Sequence, residues 1–154
     1  MTPGDWLQGV IMTTAKQIMH LGAQCVPENE TLARAAQLMR DMGVGSLPIC
    51  GSDDKLRGII TDRDIVIKCI ASGGDPNTMT CIEMAKGTPI WVDAKADEDE
   101  VLKTMEQHKI RRVPVIEDHQ IIGMISEADL AQHLSNEKLA HFVSTITAAP
   151  PTRG

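Results

Sequence analysis

The sequence predicts a mixed α/β fold, α+β in its connectivity, built from two pseudo-symmetric β-α-β-β-α repeats packed as a pair. The first observation behind this is self-similarity at a fixed spacing. Val26 matches Val92, Met39 matches Met105, Val44 matches Ile110 and Pro48 matches Pro114, each 66 residues apart, and such a period defines an architecture before any motif does. The second is that Gly58 matches Gly123, Thr61 matches Ser126 and Asp64 matches Asp129 at a spacing of 65. The lost residue falls in the polar turn GSDDK against EDHQ, where a surface turn tolerates it. The third is that each copy alternates short apolar runs with stretches of helical spacing.

Residues 1–12 read as a loose leader, with Met12 a second candidate start. They carry no basic start and no long apolar run, so no secretory signal is visible. No stretch approaches the ~20 apolar residues that span a bilayer, and a soluble, cytoplasmic protein is expected. The first repeat is set at residues 13–75 and the second at 76–135. Residues 23–26 and 89–92 read as short strands. ENETLARAAQLMRDMG then places Leu32, Ala35, Ala36, Leu38 and Met39 on one helical face, and KADEDEVLKTMEQHKI does the same with Val101, Leu102 and Met105. Acids crowd the start of both helices, where the helix dipole favours them. SLPIC and RVPVI follow as strands. Their Pro48 and Pro114 lack the N–H that a ladder uses, which points to a sheet edge or an irregularity. LRGIIT and IIGMIS are the next strands, and second helices start at Asp62 and Glu127. GGDPN at 73–77 is the linker. Residues 136–154 hold a last helix, from Asn136 to about Ile146, and a frayed AAPPTRG tail.

The chain has 154 residues, one Phe, two Trp and no Tyr, so its core is aliphatic, with nine Met as adaptable filler. The formal net charge is −6, which argues against a nucleic-acid partner, since such proteins carry a basic face. No membrane partner is expected either. Four cysteines stand at 25, 50, 69 and 81 with no CxxC among them, so a zinc ribbon is not indicated. The five histidines form no HxH or HExxH, and no GxSxG or phosphate-binding loop occurs. Asp62 and Asp64 stand two apart and face different ways on a helix, a poor arrangement for paired acid–base work. An enzyme is not expected.

Thr61 and Ser126 each end a strand and open a helix. Hydroxyl residues are favoured there because the side-chain oxygen accepts an otherwise unpartnered helix N–H, worth about 1 kcal/mol. Asp64 and Asp129 fall at the third helical position, where a capping box prefers the longer Glu or Gln. A short carboxylate beside exposed helix N–H groups suits another task, accepting two hydrogen bonds from a ribose diol while the helix start holds a phosphate.

These residues carry a resemblance. VGSLPI and IRRVPVI, together with GIITDRD and GMISEAD, resemble a tandem pair of CBS (cystathionine β-synthase) domains, a Bateman module, over about residues 14–134. Within that family the chain is similar to the short stand-alone two-domain proteins of actinobacteria. The resemblance implies pseudo-twofold packing of the copies, a homodimer, an adenosine ligand (AMP, ADP or ATP) in the clefts between copies, and a protein partner the sequence does not name. It implies ribose contacts for Asp64 and Asp129, and phosphate or ribose contacts for Thr61 and Ser126. Arg111 and Arg112 precede the second VPV strand, where members that bind phosphate carry cations, and the guanidinium fork suits phosphate oxygens. The first copy has Gly45 and Ser46 there, so the second site is expected to bind phosphate better. The fold also brings Cys25 and Cys50 near each other. They can form a disulfide, hold zinc together with His20, or simply fill buried positions, as Trp91 and Ile116 do in the second copy. A redox- or zinc-responsive structural protein is therefore the alternative to a nucleotide sensor.

Overall fold

The computed structural model describes residues 13–21, 24–85 and 87–147. The leader, the tail and Ala23 of the expected first strand lie outside the described residues. Two three-stranded sheets carry the fold, in the orders β1-β2-β3 and β4-β5-β6. In the first, β1 (Val26–Pro27) runs parallel to β2 (Ser46–Cys50), which pairs antiparallel with β3 (Leu56–Thr61). The second sheet repeats this with β4 (Val92–Asp93), β5 (Arg112–Glu117) and β6 (Gln120–Ser126).

The sequence expects an edge or an irregularity for the proline-bearing strands; they are not edges but the central strands. Pro48 and Pro114 are tolerated because the leading strand begins to pair one residue later, at Val26 opposite Ile49 and Val92 opposite Val115. A register shift follows directly, between Ile49 and Cys50 and between Val115 and Ile116, so the expected irregularity is present. The same restriction leaves β1 and β4 only two residues long, at the end of the stretches read as strands.

Helix α1 (Ala15–Ile18) precedes β1, and α2 (Leu32–Met42) follows it. The α2 N-cap is Thr31, whose hydroxyl accepts the Arg34 N–H at 3.2 Å, and the helix stops at Gly43 with φ 67°, a left-handed value that glycine adopts freely. Glu28 and Glu30 lie ahead of this helix instead of in its first turn, a departure from the expected dipole pairing. In α4 (Glu98–His108) the acids Glu98, Asp99 and Glu100 do occupy the first turn. Buried faces fall on Leu32, Ala35 and Met39 in α2 and on Val101, Leu102 and Met105 in α4. Ala36 of the expected face is exposed.

Helix α3 begins as α over Asp62–Asp64 and continues as a π-helix over Ile65–Ile70. Its counterpart α5 (Glu127–His133) is a regular α-helix, and α6 (Asn136–Thr147) closes the described chain. A 3-10 turn, Cys81–Met84, opens the second repeat. Among the described residues no helix is long and apolar enough to cross a membrane.

The repeats share their cores by exchange. The boundaries drawn at 13 and 76 follow the chain, but the packing crosses them. Ala15 and Ile18 of α1 belong to the core of the second copy, with Val92, Val101, Met105 and Val113. Cys81 and Met84 of the 3-10 turn belong to the core of the first, with Val26, Leu32, Leu47 and Ile60. Backbone bonds fix both segments: Ala15 N–H to Ala96 C=O at 2.7 Å, and Cys81 N–H to Glu30 C=O at 2.9 Å.

Candidate ligand cleft

Both hydroxyl–carboxylate pairs form the reciprocal cap. Thr61 Oγ1 accepts the Asp64 N–H at 3.0 Å, and Asp64 Oδ2 accepts the Thr61 N–H at 3.0 Å. Ser126 Oγ accepts the Asp129 N–H at 3.4 Å, and Asp129 Oδ2 accepts the Ser126 N–H at 2.8 Å and its hydroxyl at 3.0 Å. The short acid reaches back to the N-cap amide in both copies, as the capping reading of these positions expects. Thr61 and Asp64 are buried, at 6% and 7% exposure.

The two clefts differ. The first is a cavity of about 240 Å³ lined by Thr61, Asp64 and Lys68 from one copy and by Ile110, Arg111 and Arg112 from the other, with Gly58, Ile59, Met84, Thr88, Pro89 and Ile90 completing its walls. The second, beside Met124, holds about 30 Å³ and is lined by His20, Ser46, Leu47 and Pro48 among others. Beside the clefts, one pair of residues related by the 66-residue period differs in size. Ala85 packs on Gly58, where an added Cβ would sit 3.0 Å from the Ala85 Cβ. Met19, its counterpart, packs on Gly123, where a Cβ would meet the Met19 sulfur and the His20 carbonyl well inside contact distance. His20 bridges onto Met124 through both backbone groups, and its Nδ1 lies 2.6 Å from Asp129 Oδ2. Asp129 thus already holds a partner, and neither it nor Ser126 lines the large cavity.

Arg111 and Arg112 line the cavity that contains Thr61 and Asp64, not a cleft with Ser126 and Asp129. The expected pairing of the arginines with the second copy's motif is corrected: this cleft joins the first copy's helix start to the second copy's strand start. Arg111 Nη1 also bonds Glu127 Oε1 at 2.7 Å. Half-buried Arg112 has no carboxylate partner among the described residues. Lys68 Nζ lies 3.0 Å from Asp64 Oδ1. Three cations, one acid and two threonines around an otherwise apolar slot suit an anionic ligand with a hydrophobic part.

Cys25 and Cys50 are joined by a disulfide with a Cα–Cα distance of 5.7 Å, one of the expected alternatives. Cys69 and Cys81 are free and buried, and burial pushes the Cys81 thiol up to about 11. Oxidised cysteines offer no thiolate, and His20 is committed to Asp129. Among the described residues no three His, Cys, Asp or Glu side chains converge on a metal position. The set Cys25, Cys50 and His20 does not fit zinc as arranged.

The CBS domain profile matches residues 15–70 and 82–136. The chain belongs to the CBS domain family. This CBS pair is 53% identical over 135 residues to hypoxic response protein 1 of Mycobacterium tuberculosis strain H37Rv, covering 88% of this chain and 94% of that protein. It is also similar to the crystal structure of hypoxic response protein I with two coordinated zinc ions, at 54% identity and TM-score 0.72, covering 80% of this chain and 100% of that one. A third relative is the CBS pair of protein MJ0100 in complex with 5′-methylthioadenosine and S-adenosyl-L-methionine. That one is 27% identical, with TM-score 0.69, over 79% of this chain and 94% of that one. By family, the chain is a CBS-pair regulatory protein.

Sequence reasoning overlooked Lys68 and the Met19–Ala85 contrast. Lys68 stands four residues after Asp64, a readable helical neighbour. Carrying the 66-residue period back to residue 19 would have set Met19 against Ala85, the side chains that pack on the equivalent Gly123 and Gly58.

Proposed function

We propose that this CBS pair is a non-enzymatic regulatory protein that takes an adenosine nucleotide, AMP, ADP or ATP, in the cleft lined by Thr61, Asp64, Arg111 and Arg112. The observation that carries the reading is that one cavity of about 240 Å³ joins a buried hydroxyl–carboxylate pair from one copy to two arginines from the other. Asp64 receives the ribose, Arg112 the phosphate, and the base lies against Ile59, Ile90 and Ile110. A ligand touching both copies favours whichever packing of the copies it fits better, and it shifts their equilibrium only through that difference. Ser126 and Asp129 serve the second cleft, which His20 closes, so one site per chain is expected. A homodimer, a protein partner that reads the change of packing, and a cytoplasmic setting complete the reading.

Titration calorimetry with AMP, ADP, ATP and S-adenosylmethionine tests it. At least one nucleotide binds with a stoichiometry of one per chain. Arg112→Ala weakens nucleotide at least tenfold, about 1.4 kcal/mol, while leaving unphosphorylated adenosine little changed. No heat from any of the four ligands would overturn the reading. The Cys25–Cys50 disulfide favours a second reading, a redox-responsive structural protein whose packing changes on reduction. Loss of ordered structure on adding reductant, with no nucleotide binding in either state, would select it.

A further inference from the structure

The open cavity does not stand alone. Thr61 and Asp64 face Arg112 across it. From that polar end, β3 leads back from Thr61 to Leu56, and β5 leads on from Arg112 to Ile116. The second path is roughly 13 Å long at a strand's ~3.3 Å per residue. Both strands arrive at a second hollow, an open groove of about 370 Å³ with Leu56, Pro89, Trp91 and Ile116 as its apolar lining. Exposed Lys55 and His119 stand beside them. Thr88 and Pro89 line the cavity and the groove alike, so the two hollows adjoin there.

The sequence sets Trp91 in a buried position, but it is 47% exposed. Phe142 of α6, by contrast, is 1% exposed and packed in the core of the second copy. An indole left in solvent among aliphatic side chains is a platform on which a flat ring stacks. The repeat supplies the comparison. The residues 66 positions before Trp91 and Ile116 are Cys25 and Cys50, joined by the disulfide, which offers no flat face. The aromatic platform thus adjoins the cleft of about 240 Å³, and the disulfide takes its place beside the cleft of about 30 Å³.

We propose that cavity and groove form one elongated site, and that it takes a purine nucleotide whose exocyclic amine carries a flat apolar group. This rests on the nucleotide reading above. With phosphate on Arg112 and ribose on Asp64, the base points away from both, and the edge farthest from the ribose bears that amine. A substituent there passes Thr88 and Pro89 and stacks on Trp91, beside Leu56 and Ile116. A plain adenine ends short of Trp91, so the groove separates substituted nucleotides from unsubstituted ones.

Calorimetry on the whole chain tests this with AMP and ATP and with the same two nucleotides benzylated on the exocyclic amine. Each benzylated form is expected to bind at least tenfold tighter than its parent. Trp91→Ala removes that gain and leaves the plain nucleotide within twofold; its circular dichroism should match the parent because Trp91 is exposed. Trp91→Phe keeps most of the gain, since a ring remains. In a Trp6→Phe background the benzylated nucleotide quenches the Trp91 emission and the plain one does not. Plain nucleotide bound with no gain on benzylation, or a gain that survives Trp91→Ala, overturns this proposal alone. If none of the four ligands binds, it falls together with the nucleotide reading.

Discussion

Replacing Asp64 separates the cap from the ligand contact. In Asp64→Ala the Thr61 N–H loses its acceptor in a position 6% exposed, and leaving a buried donor unpartnered costs about 1–3 kcal/mol. The Lys68 ion pair adds little, since Lys68 is 39% exposed and such pairs contribute roughly 0.2–1 kcal/mol. A loss of about 2 kcal/mol follows. At roughly 2–4 °C per kcal/mol for a chain of this size, Tm falls by about 4–8 °C. Asp64→Asn keeps an oxygen for the Thr61 amide and is expected to lose less than about 1 kcal/mol. It cannot accept from both ribose hydroxyls through a carboxylate, so nucleotide affinity falls at least tenfold in Asn and Ala alike. Chemical denaturation and calorimetry on both variants decide this. If Asn costs as much stability as Ala, the cap is not a hydrogen bond to the amide. If Asn binds nucleotide as tightly as the parent, Asp64 holds no ribose.

Three other outcomes are expected. Ala85→Met copies the Met19 arrangement into the open cleft, so nucleotide binding should vanish in calorimetry while Tm shifts by only a few degrees; retained binding would place the ligand elsewhere. Phe142→Ala empties a site 1% exposed and should cost about 3–5 kcal/mol in denaturant unfolding; a cost below 1 kcal/mol would mean that α6 is not docked as described. Thiol titration at pH 8 should find no reactive cysteine in the folded chain. The Cys25–Cys50 pair is oxidised, and the buried Cys81, with its thiol pushed up to about 11, stays protonated. Unfolding should release two thiols without reductant and four with it. Because that raised value favours the neutral thiol of the folded state, stability should also fall as pH rises from about 9 towards 11, and less so in Cys81→Ala.

The repeat made most of the fold legible. Once Val26 is set against Val92 and Asp64 against Asp129, the succession of strands and helices and most of the helix faces and caps follow from local spacing. What stayed hidden depends on contacts between copies. Nothing near Arg112 in sequence says that it shares a cavity with Thr61, because the relation exists only across the pseudo-twofold axis. The central place of β2 was obscured by Pro48, which a two-residue partner strand accommodates. The π-helical run at Ile65–Ile70 has no local signature, since IVIKCI fits an α-helix as well. The disulfide was visible only as one of three options for Cys25 and Cys50.

The traded segments have a consequence for the integrity of the molecule. Each half borrows its first apolar turn from the other's stretch of chain, so a cut at Gly73 would produce two fragments that each carry a plug belonging to their sibling and a socket left vacant. Neither fragment is self-sufficient, and the sound state is recovered only when both are present together. Fusion into a single polypeptide therefore guarantees, at any dilution, a handshake that separate halves would have to find by collision.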